Sequence, residues 1–114
     1  MRLSAIAALG LLVAGGAVGG VRAGDDHGSA DPEAALVQKG RVLYMHHCSH
    51  CHGFNLVNPG TITPDLRQFP RDQKTRFLET IALGKNSRMP AWGDVLTLED
   101  VDALWAYIGT GGRS

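Results

Sequence analysis

Cys48-Ser49-His50-Cys51-His52 holds both cysteines of the sequence and a histidine directly after the second. Cys-x-x-Cys-His is the attachment signal for c-type haem. The spacing has a chemical reason: thiols three positions apart can each bond a haem vinyl group, and the imidazole that follows lies close enough to reach the iron. A cysteine pair of this spacing also serves as a redox disulfide, which would need a βαβ pattern around it. It serves as half of a zinc site too, which usually takes four ligands in two pairs. No βαβ pattern surrounds this pair and no second cysteine pair exists, although His46, His47 and His50 could contribute ligands.

With His52 on one side of the iron, the ligand on the other side decides the chemistry. An occupied position suits electron transfer, and an open one binds gases or peroxide. Met89 is the choice for that position, because a thioether is a soft neutral ligand that favours the ferrous state and raises the potential. Pro90 directly after it restricts the loop that must carry it. Met45 lies three residues before Cys48, too close to the attachment turn to curl round the opposite haem face. His46, His47 and His50 are rivals, but all three are tethered to the proximal side. Trp92, three residues after Met89, needs an acceptor for its indole N–H when buried. A haem propionate is one candidate, and Arg67 or Arg71 could pair with the same carboxylates.

The elements that must position these groups are helical. Asp31-Pro32-Glu33 supplies an N-cap acceptor, a proline at the first helical position and an acid in the first turn, which predicts a helix over 32–47. Leu36, Gly40, Leu43 and Tyr44 recur along it at helical spacing. Gly40 costs about 1 kcal/mol of propensity relative to alanine; either another helix crosses closely there or it is a tolerated surface glycine. Residues 53–70 read as loop, with Asn58-Pro59-Gly60 and Pro64 as turn formers. A loop that long needs a function or a cofactor to lean on.

Asp72 is placed to cap a second helix ending near Leu83, with Phe77, Leu78, Ile81 and Ala82 on one side and Gly84 as the stop. Residues 85–95 read as an ordered loop. The last helix has the best local signals: Thr97 as N-cap, Asp100 at the capping-box position, and Leu96 with Val101 placed as a hydrophobic staple. Val101, Leu104, Trp105 and Ile108 then follow at i, i+3, i+4 and i+7, and Gly109 ends the run. Nothing alternates like a strand over four or more residues, so the domain is predicted to be all-α.

The chain has 114 residues, with 11 basic and 11 acidic side chains. Its start reads as a signal peptide, residues 1–23: Arg2, then an uncharged apolar stretch from Leu3 to Val21, then Val21-Arg22-Ala23 with small residues at −3 and −1. An uncleaved anchor is the other reading of such a stretch. Cleavage after Ala23 leaves a polar, flexible mature N-terminus over 24–31 that includes His27, a domain over 32–110 and a tail over 111–114. Covalent haem attachment in bacteria takes place outside the cytoplasmic membrane, so the motif and the leader agree on a periplasmic location.

Without Arg2 and Arg22 the net charge is about −2, which excludes a nucleic-acid binder by composition. The charges are unevenly spread, with Arg67, Arg71, Lys74, Arg76, Lys85 and Arg88 in the middle and Asp94, Glu99, Asp100 and Asp102 later. Such asymmetry either orients the molecule toward a charged partner or is the solvated face of a helix and its loops. About 91 mature residues make a marginal core, and an apolar macrocycle would give a few helices something rigid to wrap.

Taken together, the chain resembles class I c-type cytochromes. The matching features are Gly40-x-x-x-Tyr44 before Cys48-Ser49-His50-Cys51-His52-Gly53, then Pro64-Asp65-Leu66, Met89-Pro90-Ala91-Trp92, and a terminal helix with Leu104-Trp105-x-Tyr107-Ile108. The resemblance implies a small cytochrome c fold, three to four helices wrapped around one covalent haem c, with the first and last helices crossing at Gly40. It also implies that a proline carbonyl after the motif accepts a hydrogen bond from His52, Pro64 fitting best and Pro59 being the alternative. More narrowly, the segment from Cys51 to Thr61, Asp65-Leu66-Arg67 and Met89 to Asp94 are similar to small periplasmic cytochromes that accept electrons from pyrroloquinoline-quinone (PQQ)-dependent alcohol dehydrogenases.

The expected function is therefore one-electron transfer by a periplasmic monomer and not catalysis. The expected donor is a quinoprotein dehydrogenase and the acceptor another cytochrome or an oxidase. The alternative is a peroxidase-like enzyme or gas sensor, should Met89 leave the iron.

Overall fold

A computed structural model describes residues 10–12, 15–16, 19–20 and 31–113. The expected signal peptide and the segment 24–30, His27 included, lie almost wholly outside the described residues. Asp31 opens the first helix, α1 (Pro32–His47), where its carboxylate accepts the Glu33 N–H at 3.1 Å. Pro32 has no N–H to leave unpaired at that end, and Glu33 meets the positive end of the helix dipole. The helix breaks at Cys48, whose N–H donates to Tyr44 O at 2.9 Å, and a single further turn follows, α2 (Ser49–His52). Ser49 Oγ ties the two together by donating to Met45 O at 2.7 Å.

The stretch from Gly53 to Gln73 is irregular apart from two short 3-10 turns, Phe54–Leu56 and Leu66–Gln68. It holds itself by local bonds. Asn58 Oδ1 accepts from the Gly60 and Thr61 N–H groups at 2.8 and 3.1 Å, and Asn58 Nδ2 donates to Thr63 O, the self-bonding that makes asparagine a turn residue. Leu56 from this stretch is fully buried, so the loop also supplies core.

The second long helix, α3 (Lys74–Leu83), starts one residue later than expected. Gln73 is its N-cap and makes no side-chain capping bond. Asp72 does not cap because it belongs to the preceding turn, which closes through Gln73 N–H donating to Pro70 O at 3.2 Å. Phe77 and Ile81 are buried and Leu78 is half-buried, but Ala82 is exposed, against expectation. What α3 uses of Ala82 is its carbonyl, which accepts the Gly93 N–H at 3.2 Å. Gly84 ends the helix at φ +74°.

The last helix, α4 (Leu98–Gly109), carries a complete capping box: Asp100 N–H donates to Thr97 Oγ1 at 3.1 Å, and Thr97 N–H donates to Asp100 Oδ2 at 2.9 Å. Val101, Leu104 and Ile108 are buried as their spacing predicts, joined by Ala103 and Tyr107. Trp105 is half-buried, its ring 5.0 Å from that of Phe77. At the crossing of α1 and α4, Gly40 lies so close to α4 that an added Cβ would fall on Ala103 O and 2.9 Å from Tyr107 Cβ. Of the two sequence readings of Gly40, the close crossing is the one observed. The described residues form an all-α fold with four helices, and none of these helices is long and apolar enough to cross a membrane.

Part of the charge asymmetry seen along the sequence closes up in space. Lys74 Nζ lies 2.7 Å from Asp102 Oδ1, and Lys39 Nζ lies 2.8 and 2.9 Å from Glu99 Oε1 and Asp100 Oδ1. The Lys74–Asp102 pair is exposed and adds little stability, whereas Asp100 is the more covered partner of Lys39.

Candidate functional site

Cys48 and Cys51 lie on one turn, because the N–H groups of Cys51 and His52 both donate to Cys48 O, at 3.2 and 2.9 Å. Both thiols are free; Cys48 is half-buried and Cys51 exposed. Burial, with a smaller contribution from Cys51, pushes the Cys48 thiol up to about 11, so it stays protonated at neutral pH. Among the described residues no group of three or more His, Cys, Asp or Glu is placed to share a metal ion. The zinc reading of the motif therefore lacks a ligand set there.

His52 is half-buried, with Nδ1 3.3 Å from Pro64 O. A carbonyl only accepts, so a bond here requires the proton on Nδ1 and leaves Nε2 with a free lone pair. Burial lowers the pKa of this histidine below its ordinary value, and the Pro64 carbonyl acts the other way. The net direction favours the neutral ring, which is the form that binds a metal.

The turn is closed by Gly53, at φ +87°, whose N–H donates to Ser49 O at 2.9 Å. A Cβ there would collide with Val57 O, so only glycine fits. Above the turn sits Tyr44, with no solvent exposure and its hydroxyl donating to Gly53 O at 2.6 Å. Beside it runs a groove of about 480 Å³ lined by Ser49, His50, Gly53, Phe54, Val57 and Pro59.

Met89 is held by a closed turn. Lys85 N–H donates to Met89 O at 3.0 Å and Met89 N–H donates to Lys85 O at 3.1 Å. Asn86 and Ser87 make the reversal at positive φ, 53° and 55°. Gly84 permits the close return, since a Cβ there would lie 2.5 Å from Met89 O. The loop is then fastened to the end of α3 by Trp92 N–H donating to Ile81 O at 2.8 Å, which satisfies a carbonyl the helix end would otherwise leave open. Met89, Trp92, Met45 and Cys48 are all partly buried against the same core cluster.

The remaining candidates have neighbours of their own within the chain. Trp92 packs its ring 5.0 Å from that of His47, the residue before Cys48. Arg67 is exposed and committed to Asp65 through Nε at 2.9 Å and Nη2 at 2.7 Å. Arg71 turns to α4, stacking 3.5 Å above the Trp105 ring and donating to Trp105 O at 3.1 Å. Sequence reasoning missed the hydroxyl of Tyr44, counting that residue in the helical stripe and in the Gly40-x-x-x-Tyr44 resemblance. The available signal was that a buried phenol must find an acceptor, and the motif lies one helical turn further on.

The donor set suits a haem iron: two unbridged thiols on one turn, an imidazole whose Nδ1 is engaged while Nε2 is free, and a soft thioether on a braced loop. Phe54 and Val57, apolar side chains left exposed in the groove beside the turn, suit an apolar macrocycle as well.

Comparison with known proteins points the same way. The family model described as cytochrome c oxidase, cbb3-type, subunit III matches residues 35–108. Among curated proteins, the chain is 34% identical over 77 residues to quinohemoprotein alcohol dehydrogenase ADH-IIG of Pseudomonas putida, covering 67% of this chain and 11% of that one. It is 37% identical over 82 residues to quinohemoprotein alcohol dehydrogenase ADH IIB of the same organism, covering 70% and 11%. It is 29% identical over 88 residues to the cbb3-type cytochrome c oxidase subunit FixP of Azorhizobium caulinodans, covering 73% and 30%. The match thus spans about a tenth of each dehydrogenase and under a third of FixP. No solved structure matches.

Proposed function

The chain belongs to the cbb3-type cytochrome c oxidase subunit III family of c-type cytochrome domains, and on that premise we propose that it is a periplasmic monohaem carrier of single electrons. The family implies haem binding and electron transfer. In our reading Cys48 and Cys51 hold one haem c covalently, His52 is its proximal ligand and Met89 its distal one. The cofactor supplies a one-electron couple when bound. The chain favours a neutral His52 aimed through Pro64 and braces Met89 against Lys85, so these two side chains would be the ones to hold the iron.

One observation carries the reading: two free thiols and an imidazole share a single turn, and Pro64 O lies 3.3 Å from the imidazole Nδ1. A disulfide module has no use for that contact, whereas a metal-bound histidine ordinarily donates its second N–H to such an acceptor, and among the described residues no group of three or more ligating side chains stands ready for zinc. Support for the donor comes from two relatives named quinohemoprotein alcohol dehydrogenases, and support for the acceptor from a relative named as an oxidase subunit. The full reading is a carrier that takes electrons from a PQQ-dependent alcohol dehydrogenase and passes them toward an oxidase.

Haem staining of the exported protein after denaturing electrophoresis tests the attachment, because only a covalent haem survives. The weak long-wavelength absorption of a methionine–iron bond tests Met89 in the oxidised protein. Its absence, with immediate binding of cyanide or carbon monoxide, would turn the assignment toward a haem enzyme or sensor. Reduction of the protein by a purified quinoprotein alcohol dehydrogenase tests the donor. A failure there retires the donor alone.

A further inference from the structure

Tyr44 and Tyr107 meet in the crossing of α1 and α4, both with 0% exposure, their ring centroids 5.4 Å apart. Their hydroxyls differ. That of Tyr44 donates to Gly53 O at 2.6 Å, while that of Tyr107 has no partner among the described residues. Gly53 directly follows His52 and is itself buried, and its carbonyl lies where the chain leaves the Cys48–His52 turn. A buried carbonyl that lost its donor would be left unsatisfied. Burial also drives the Tyr44 pKa far above the ordinary phenol value, so the group remains a donor across the working pH range.

We propose that Tyr44 is a positioning residue for His52: its hydroxyl clamps the exit of the ligand turn, so the aim of the imidazole depends on the packing of α1 against α4. The proposal rests on the haem reading of the site. His52 is then fixed from two directions, at its ring by Pro64 O and at its backbone exit by Tyr44. The two constraints come from different parts of the chain, the loop after the motif and the helix before it. A phenylalanine would fill the same space at position 44 and supply neither the bond nor the constraint.

Tyr107 provides the internal control. Tyr44→Phe and Tyr107→Phe each delete one oxygen from adjacent, fully buried rings inclined by 51°, but only the first deletes a bond to the turn. In the haem-loaded full chain, Tyr44→Phe is expected to speed amide hydrogen exchange at Cys51, His52 and Gly53 by about tenfold or more and to move the midpoint potential away from wild type. Tyr107→Phe is expected to leave both unchanged. Equal exchange and potential in Tyr44→Phe and wild type would overturn the proposal, as would an equal response to both substitutions, which would point to packing.

Should Tyr44→Phe not fold, the wild-type protein still decides. A slowly exchanging Tyr44 hydroxyl proton in NMR spectra supports the clamp, and one exchanging at the solvent rate refutes it. Wild-type protein without covalent haem would refute the functional reading instead, and the exchange comparison would continue to decide whether the clamp exists.

Discussion

The imidazole of His47 lies 5.0 Å from the ring of Trp92, the two planes inclined by 58°. The last residue of α1 thereby touches the loop that carries Met89, so the helix leading into the Cys48–His52 turn and the Met89 loop are in direct contact. An aromatic pair of this kind contributes about 0.5–1.5 kcal/mol beyond its buried area. His47→Ala is therefore expected to keep the covalent haem but to lose the methionine–iron absorption at a lower guanidinium concentration than wild type. If the band of the variant persists to the same concentration, the contact does not brace the loop.

Gly40 gives a prediction whose sign is diagnostic. On an exposed helix face, Gly→Ala stabilises by about 1 kcal/mol through propensity. Here the added methyl would fall on Ala103 O, and overpacking of this kind costs about 1–3 kcal/mol. Gly40→Ala is expected to lower the denaturation midpoint, with the folding slope unchanged. A higher midpoint would mean that the helices do not cross at this residue.

The bounds of α1 and the start of α4 were legible because their caps are written locally: Asp31-Pro32-Glu33 and Thr97 with Asp100 each complete their bonds within three residues. The start of α3 was misread because Asp72 is a good cap in isolation and only the turn closed by Pro70 removes it from that position. The Cys48–His52 turn was legible for the same local reason as the caps. Contacts that depend on distant partners were not. The reach of the Tyr44 hydroxyl to Gly53 depends on the chain turning at Cys48, the reach of Arg71 to Trp105 O depends on where α4 lies, and the pairing of Lys74 with Asp102 exists only once α3 and α4 lie together.

The close return of the Met89 loop at Gly84 can be separated from simple backbone strain. Gly84 and Gly60 both have positive φ, +74° and +86°, where a β-carbon is strained at a cost of about 1–3 kcal/mol. At Gly60 an added Cβ meets open space, whereas at Gly84 it would lie 2.5 Å from Met89 O. Gly60→Ala and Gly84→Ala are both expected to lower stability modestly. Only Gly84→Ala is expected to weaken or abolish the methionine–iron absorption while haem staining persists. An intact band in Gly84→Ala would show that the loop adjusts without moving Met89.

The acid limb of stability should report on Asp100. Its carboxylate accepts the Thr97 N–H and pairs with Lys39 Nζ at 2.9 Å, and these bonds, the capping bond first, hold its pKa down to about 2. A folded-state pKa below the unfolded one means that the carboxylate contributes stability above the unfolded value and loses it as pH falls through the folded value. The window is therefore from about pH 4 down to about pH 2. Lys39 is the opposite case: its pKa is raised by Glu99 and Asp100, so its share is present at neutral pH and lost only on the alkaline side. Asp100→Asn, followed by denaturant midpoints against pH, is expected to be less stable than wild type at pH 7. The two curves should converge below about pH 4 and meet only below about pH 2, because at pH 2 wild-type Asp100 is still about half ionised. Curves that stay parallel across that window would mean that the capping box holds α4 by geometry alone and that the charge on Asp100 adds nothing.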